Sequence, residues 1–400
     1  MFTPLSRSRL VRGFAVLSVL AVAATGCDGS GFSPGGGGDD APSTTAAAVV
    51  KAKLTTNVQA GATGVPVSTL LKVSAADGTL TAVSVQSKAG KVPGRIVDGA
   101  RWVASERLEP GARYRIHAVA KSADGSTVET STPFTTQALT LAQQTYASVA
   151  PLQGETVGVG MPVIVNFDVP VKNKAAFEKN MKVTATPAQA GSWRWVSDKE
   201  AHWRPRTYWK AGSKVRVAVD VNGVPAGGGI YGQENRDVDF KVGAAHIYKV
   251  NAKTHKMKVF ENGKLLRTLP ITTGKPGFTT RSGVKVIMEK FATKRMNSET
   301  VGIARGSSEA YDIDDVRWAM RLTSSGEFIH AAPWSVGSQG VANVSHGCTG
   351  MSTENAGWLY SISRRGDVVQ YVGTDRPMEP DNGYGDWNIS WADYEAASAL

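Results

Sequence analysis

Short segments of alternating apolar and polar residues, separated by turn signals, recur through the first part of the chain. They cover residues 70–75, 80–85, 101–104 and 114–120, and the turns between them include Asp77-Gly78, Asp98-Gly99, Pro110-Gly111 and Asp124-Gly125. Alternation with a period of two places successive side chains on opposite faces of a β-strand. Because each strand then has one apolar face, the repeated pattern predicts two sheets packed as a β-sandwich.

A second stretch repeats the same pattern, with candidate strands at residues 162–167, 181–186, 192–196, 201–205 and 214–219. It also holds a tryptophan cluster, Trp193, Trp195, Trp203 and Trp209. Such a cluster could form a sugar-stacking platform, but a sandwich core is the commoner use of buried aromatic rings. We interpret residues 49–138 and 139–243 as two immunoglobulin-like spacer domains.

The pattern changes at residue 244. Candidate strands at residues 246–250, 256–260, 265–271, 284–288 and 367–372 surround one convincing helix, which we expect to begin at Ser352 and to end near Gly366, with Arg364 and Arg365 in its last turn. Asn262-Gly263 is a strong hairpin signal. The chain is therefore predicted to be mainly β, with a third, β-rich domain at 244–373. A C-terminal extension at 374–400 is expected to pack back on another domain.

The N-terminus has the features of an export signal. Arg7, Arg9 and Arg12 precede an apolar run at residues 14–24 that is too short to span a bilayer comfortably, since spanning takes about 20 residues. The run leads into Ala24-Thr25-Gly26-Cys27, which resembles a bacterial lipobox. We expect residues 1–27 to be a lipoprotein signal with Cys27 lipidated, and residues 28–48, rich in Gly, Ser, Pro and Asp, to be a flexible tether. Ordinary secretory cleavage is the alternative.

If the chain is exported, its net charge and its two cysteines exclude several kinds of partner and site. The net charge of +11 would suggest nucleic acid in a cytosolic protein, but an exported chain meets anionic envelope polymers instead, so no nucleic-acid partner is expected. Of the two cysteines, lipidation of Cys27 leaves Cys348 alone. A disulfide, a redox pair or a cysteine-based metal site would need a partner, so none of these is expected. Inert burial is the default for a lone thiol.

The neighbours of Cys348 argue against that default. Residues 328–352 also contain His330 and His346. A thiol is mostly protonated at neutral pH, and the thiolate is the attacking species. His330 at a strand end could take the proton, and the helix start after Cys348 would favour negative charge. The backbone N–H groups of His346, Gly347 and Cys348 are candidate donors to the oxyanion of an acyl-transfer reaction.

The sequence Ser345-His346-Gly347-Cys348, with a histidine sixteen residues before His346, resembles the signature of the YkuD-type L,D-transpeptidases. Similarity to the actinobacterial branch extends to residues 330–337, to Arg365-Gly366-Asp367 and to residues 385–389. Members of that branch are anchored by a lipid or a membrane segment and carry two immunoglobulin-like domains before the catalytic one. The resemblance therefore implies the same architecture that the strand pattern predicts.

The resemblance also implies roles for individual residues. Cys348 would be the nucleophile and His330 the general base, oriented by the backbone carbonyl of Ala331. His346 and Gly347 would shape the oxyanion site. The implied substrate-binding residues are Met296, Tyr311, Ala331, Trp334 and Ser345. Two departures are Gly350, where the family usually has Arg or Asn, and Arg281, where a proline is common.

The implied reaction has two steps and needs no metal or cofactor. Cys348 would attack the carbonyl of the third residue of a donor tetrapeptide stem, releasing D-Ala, and a side-chain amine of an acceptor stem would take the acyl group to give a 3→3 cross-link. Water as acceptor would make the enzyme a carboxypeptidase, and carbapenem-type β-lactams would acylate the same cysteine. The expected location is the cell membrane, lipid-anchored and facing the cell wall.

Two other functions also fit the sequence. A cysteine peptidase would use the same residue types, although such enzymes usually place the cysteine before the histidine in the chain. A wall-binding lipoprotein could use the fold without turnover, and Gly350 is the one feature that favours this alternative.

Overall fold

The structure is a computed structural model that describes residues 50–400. The predicted signal peptide, Cys27 and the tether lie outside the described residues. Within residues 50–400, no helix is both long enough and apolar enough to cross a membrane. Strands dominate, and the prediction of a mainly β chain is confirmed.

The first sandwich consists of two four-stranded sheets, with strand orders β1-β2-β6-β5 and β4-β3-β7-β8. Its strands are β1 (Lys53–Thr56), β2 (Lys72–Ala76), β3 (Gly78–Ser87), β4 (Gly90–Lys91), β5 (Gly94–Val97), β6 (Arg101–Ala104), β7 (Arg113–Ser122) and β8 (Thr127–Thr135). The buried faces of the two sheets meet in one core, with Val73 from one sheet and Ile116 from the other. The period-two pattern thus places its apolar side chains between the sheets.

The second sandwich also has two four-stranded sheets, β10-β12-β15-β14 and β11-β19-β16-β13, and a small sheet, β17-β18-β9. Its elements are β9 (Gln144–Thr145), β10 (Ala147–Ala150), β11 (Thr156–Val157), β12 (Val163–Phe167), α1 (Lys174–Glu178), β13 (Met181–Thr186), β14 (Gly191–Trp195), β15 (Glu200–Pro205), β16 (Lys214–Val219), β17 (Pro225–Gly227), β18 (Ile230–Gly232) and β19 (Arg236–Val242), after a 3-10 turn at Leu141–Gln143. Trp193, Trp203 and Trp209 are buried in the core. Trp195 is partly buried and packs against this core, so the core interpretation is confirmed for three of the four tryptophans and Trp195 lies at the margin.

The third domain pairs a five-stranded sheet, β22-β21-β20-β28-β23, with a four-stranded sheet, β24-β25-β26-β27. The elements are β20 (His246–Asn251), β21 (Lys256–Glu261), β22 (Lys264–Pro270), β23 (Gly283–Val286), β24 (Glu289–Asn297), β25 (Asp312–Arg321), β26 (Phe328–Ala331), β27 (Thr349–Met351), α2 (Thr353–Ile362) and β28 (Val368–Val372), with 3-10 turns at Ser298–Val301 and Pro333–Ser338. Both sheets and α2 share one core, to which Tyr248, Met320 and Leu359 belong. Asn262 and Gly263 form the predicted β21–β22 turn, with φ values of 48° and 83°.

Helix α2 begins as predicted but ends earlier. The Ser352 side chain accepts a hydrogen bond from the Asn355 N–H, so Ser352 is the N-cap. The prediction that the helix continues to Arg365 is wrong, because Ser363 is already extended. The buried Asp367 carboxylate accepts a hydrogen bond from the Arg364 N–H at 2.7 Å, and this turn replaces the last helical turn.

The C-terminal extension packs on the second sandwich, as the sequence predicted. Its helix α3 (Trp391–Ala396), after a 3-10 turn at Asp386–Asn388, lies against β14. The buried His202 ring contacts the Asp386 carboxylate at 2.9 Å, and the Arg204 guanidinium lies 4.2 Å from the centre of the Tyr394 ring. Burial disfavours the charged imidazole, but Asp386 and Glu200 raise the pKa of His202 to about 9. His202 thus has a structural role, joining β15 to the C-terminal extension.

Candidate active site

A cavity of about 340 Å³ is lined by residues from all four strands of the four-stranded sheet. Cys348 and His330 both line it, and so do the predicted substrate-binding residues Met296, Tyr311, Trp334 and Ser345. Ala331, the last residue of β26, is buried in the core of the third domain and is absent from the lining. The structure therefore brings together residues that are up to 52 positions apart in the sequence.

The register of two strands places the thiol beside the imidazole. Strands β26 and β27 are parallel, with Ile329 opposite Thr349 and His330 opposite Gly350. Cys348 directly precedes β27. Since alternate residues share a face of a sheet, Cys348 and His330 lie on the same face, one step apart diagonally. This arrangement suits proton transfer between the two side chains.

His330 is held in one orientation. Its Nδ1 donates a hydrogen bond to the Ala331 backbone carbonyl at 2.8 Å, and its ring stacks on Trp334 with 5.9 Å between ring centres. A carbonyl only accepts, so Nδ1 carries the proton and Nε2 is left as the acceptor in the neutral ring. Burial lowers the pKa of His330, and the hydrogen bond to Ala331 partly opposes that shift. The ring is therefore neutral at pH 7 and available as a base.

Cys348 is a free, half-buried thiol whose Sγ lies 3.7 Å from the Gly326 carbonyl oxygen. Burial raises the pKa of the thiol to about 11, and the nearby Glu327 carboxylate adds to the rise while Lys285 opposes it. The resting pair is thus a neutral thiol and a neutral imidazole, not a preformed thiolate. Attack by the sulfur then requires His330 to accept the proton in the same step.

The expectation that a helix start beside Cys348 favours negative charge is wrong. Strand β27 separates Cys348 from the N-cap Ser352. Four residues of extended chain span about 13 Å, and the effect of a helix terminus fades within roughly one turn. Activation of the thiol must therefore come from its base and from other charged groups.

The loop before Cys348 is fixed by hydroxyl groups. Ser345 Oγ donates to the Cys348 carbonyl at 2.6 Å and accepts from the Gly347 N–H at 3.1 Å, while Thr280 Oγ1 donates to the Gly347 carbonyl at 2.7 Å. Gly347 has a φ of 121°, which favours glycine. Within residues 50–400 the N–H groups of His346 and Cys348 have no acceptor, whereas that of Gly347 is already engaged. The N–H groups of His346 and Cys348 are therefore the ones free to donate to an oxyanion.

His346 does not serve Cys348 as a base in this arrangement. Its Nε2 contacts the Glu309 carboxylate at 2.7 Å, and its ring packs against Tyr311 and Phe278 with ring centres 5.1 and 4.7 Å away. Glu309 lies in the long connection between β24 and β25 and also binds Lys275. Sequence reasoning missed Glu309, because no local pattern links it to His346.

Gly350 fits its surroundings closely. Its N–H and carbonyl pair with Thr272 at 3.0 and 2.9 Å. A Cβ at this position would lie 2.9 Å from Ala332 Cβ and 3.0 Å from Thr272 Cγ2. A larger residue would need its neighbours to move, so Gly350 matches the local packing and the strand keeps its hydrogen bonds without the usual family side chain.

Two family models match segments of this chain. Residues 62–225 match a family model described as a bacterial Ig domain, and residues 245–370 match one described as the L,D-transpeptidase catalytic domain. The first match runs through both sandwiches. The second contains Cys348, His330 and the cavity residues between them.

Individual relatives cover most of the chain. It is 38% identical over 355 residues to L,D-transpeptidase 2 of Mycobacterium tuberculosis, which covers 87% of this chain and 85% of the relative. It is 32% identical to L,D-transpeptidase 5 of the same species, covering 82% of this chain and 73% of the relative. Among solved structures, LD transpeptidase LdtMt1 in complex with imipenem is 38% identical, with a TM-score of 0.50, and covers 56% of this chain and 98% of that one.

Proposed function

Because the chain belongs to the L,D-transpeptidase family, we propose that it forms 3→3 cross-links between peptidoglycan stem peptides through a thioester on Cys348. The observation that carries the proposal is the placement of Cys348 and His330 on one face of the sheet, at one cavity. A thiol and a neutral imidazole so placed are the two groups that a cysteine acyltransferase needs.

In the first step the Cys348 sulfur attacks the carbonyl carbon of the third stem residue, and its proton passes to His330 Nε2. The N–H groups of His346 and Cys348 donate to the resulting oxyanion. Collapse of this intermediate breaks the peptide bond to D-Ala, whose amine leaves with the proton from His330. The product is a thioester between the sulfur and the donor stem.

In the second step an amine of the acceptor stem attacks the thioester carbonyl and gives its proton to His330. The carbon–sulfur bond then breaks, and the sulfur recovers the proton from His330. The new amide is the cross-link, and the neutral pair is restored. With water in place of the amine, the same steps would give a carboxypeptidase.

A β-lactam would enter the first step only. Attack by Cys348 on the lactam carbonyl would open the ring, and the ring nitrogen would take the proton, so the inhibitor would stay attached. Support comes from the related LD transpeptidase solved in complex with imipenem. We therefore propose carbapenem-type β-lactams as covalent inhibitors of this protein.

The test of the proposed function is incubation of the purified protein with disaccharide-tetrapeptide muropeptides. We expect free D-Ala together with a cross-linked dimer whose mass equals two donors minus one D-Ala. Free D-Ala without the dimer would identify a carboxypeptidase. Absence of both products would favour the wall-binding alternative.

We also propose that a lipid on Cys27 holds the enzyme at the membrane, facing the wall. The support is the signal-like sequence before Cys27 and the Gly-rich segment after it. A Cys27→Ser variant expressed in a bacterial host should move from the membrane fraction to the soluble fraction. Retention of that variant at the membrane would contradict lipidation at this residue.

A further inference from the structure

Three charged side chains are buried together near the loop at residues 345–348, which carries Cys348: Arg281, Lys285 and Glu327. Lys285 is fully buried, and Glu327 and Arg281 are 5% and 8% exposed. The Lys285 ammonium binds the Glu327 Oε2 atom. Arg281 donates to Glu327 Oε1 from its side-chain Nη1 at 3.0 Å and from its backbone N–H at 3.1 Å. The mechanism described above uses none of these residues.

A buried ion cluster is weak evidence for stability, because desolvation of the charges offsets much of their attraction. An apolar set of similar volume would often fold as well or better. Stability alone therefore does not explain why three charged side chains are buried here, and their contacts with residues near Cys348 indicate a functional role.

The cluster contacts the chain on both sides of Cys348. Glu327 follows Gly326, whose carbonyl lies 3.7 Å from the Cys348 sulfur. Its Cγ lies 3.8 Å from the position that a Cβ on Gly347 would occupy. On the other side, Lys285 Nζ lies 3.8 Å from the centre of the Tyr371 ring, and the Tyr371 hydroxyl is 2.6 Å from Thr349 Oγ1. Glu327 thus adjoins the residue before Cys348, and Lys285 is linked through Tyr371 to the residue after it.

The cluster is also tied to the C-terminal extension. Arg281 Nε binds the Glu379 carboxylate. Asn382 Nδ2 donates to Glu379 at 3.1 Å and to Ser325 Oγ at 2.9 Å, next to the Gly326–Glu327 turn. The extension therefore braces both Arg281 and the segment that carries Glu327.

We propose that Lys285 and Glu327 are positioning residues that set the thiol–thiolate balance of Cys348, the Lys285 charge favouring the thiolate and the Glu327 charge opposing it. The proposal about Lys285 and Glu327 rests on the proposed function, because the thiol–thiolate balance affects catalysis only if Cys348 is the nucleophile. The groups that face Cys348 are Lys285, Glu327, Arg321, His330, His346, Tyr311 and Tyr371, with Arg281 behind Glu327.

The signs of the two charges make the proposal testable. Burial lowers the pKa of Lys285 to about 8, with Glu327 opposing the shift, so the ammonium is still mostly protonated at pH 7. Lys285→Met removes the charge that favours the thiolate and leaves the Glu327 carboxylate, which opposes it, without its lysine partner. In the Lys285→Met background, Glu327→Gln then removes the opposing carboxylate and favours the thiolate again.

The experiment is alkylation of the full chain with iodoacetamide at pH 7, followed on the tryptic peptide that contains Cys348. We expect Lys285→Met to react about tenfold more slowly than the wild type, as a rise of one unit in the thiol pKa would give. The double variant Lys285→Met/Glu327→Gln should recover most of that loss. Because Glu327→Gln also neutralises a buried carboxylate that has lost its lysine, the rates are compared at equal folded fractions, measured by thermal melting of each variant.

Lys290→Met is the matched control. Lys290 is also a partly buried lysine of the third domain, but its Nζ donates to the Tyr360 carbonyl at 2.8 Å and lies away from the cluster. It should leave the alkylation rate unchanged. If Lys285→Met does not fold, Lys285→Gln removes the same charge while retaining a donor for Glu327, and the same slowing is expected.

An unchanged rate in the Lys285 variant, or a double variant no faster than the single one, would overturn the proposal. The readout needs no transpeptidase turnover. If the alkylation rates change as expected but the muropeptide assay gives no product, only the proposed function is contradicted. If the muropeptide assay gives the cross-linked product but the alkylation rates do not change, only the role of Lys285 and Glu327 is contradicted.

Discussion

Replacing Cys348 by alanine is expected to lower the rate of D-Ala release from tetrapeptide muropeptides by at least about 10⁴-fold, since no other group can form the thioester. The remaining oxyanion donors and the cavity would still bind the donor stem. The variant should therefore keep affinity for the substrate while losing turnover. D-Ala release under single-turnover conditions measures the chemical step directly.

The chain offers a matched control in its other cysteine. Cys27→Ser changes a cysteine that lies outside the catalytic domain in the sequence, and the purified variant should release D-Ala at the wild-type rate. Continued D-Ala release by Cys348→Ala would exclude Cys348 as the nucleophile.

Replacing His330 by alanine should give the second-largest loss, about 10²–10⁴-fold in kcat/KM, the usual contribution of a general base. The effect should also appear in the pH profile. Because burial lowers the pKa of His330 from its ordinary value of 6.5, the ring stays neutral and able to accept a proton at pH values below 6.5. In the wild type, kcat/KM should thus fall only at lower pH, and the variant should lack this acid limb.

His117→Ala is the control for this prediction, because His117 lies on an exposed face of the first sandwich, far from the cavity in sequence and in fold. It should leave both kcat/KM and the pH profile unchanged. A wild-type acid limb centred well above pH 6.5, or one that persists in His330→Ala, would assign the base to another group.

Local sequence signals predicted much of the fold. Strands β6, β13 and β16 have the predicted bounds, because alternation and turn residues act over a few neighbouring positions. The Asn262-Gly263 turn was predicted for the same reason. The end of α2 was not, since a carboxylate three residues beyond Arg364 captures its N–H, and that competition is invisible to helix propensity.

The site residues that could be predicted from local sequence are those that stand close together around the Ser345–Cys348 motif. His330, His346 and Cys348 stand close together in sequence, whereas Glu327 and Lys285 are 42 positions apart and Arg281 and Glu379 are 98 apart. One signal was present in advance: Lys285 occupies a strand position between Val284 and Val286 whose neighbours are apolar. A lysine in such a strand needs a buried anionic partner.

The prediction of how the Cys348 thiol is activated was wrong. The sequence suggested a helix terminus behind Cys348, but β27 stands between them. The structure instead places the thiol beside an imidazole held by Ala331, and our proposal assigns the tuning of the thiol to the buried pair of Lys285 and Glu327. How reactive Cys348 is therefore depends on residues that lie far from it in sequence.

Intact-mass spectrometry with imipenem tests most directly whether Cys348 forms a covalent acyl-enzyme. We expect the mass of the wild-type protein to increase by the full mass of one imipenem molecule, because ring opening releases nothing, with the added mass on the peptide that contains Cys348. Cys348→Ala should show no increase. An unmodified wild-type protein after prolonged incubation, or an adduct on a different residue, would contradict the account.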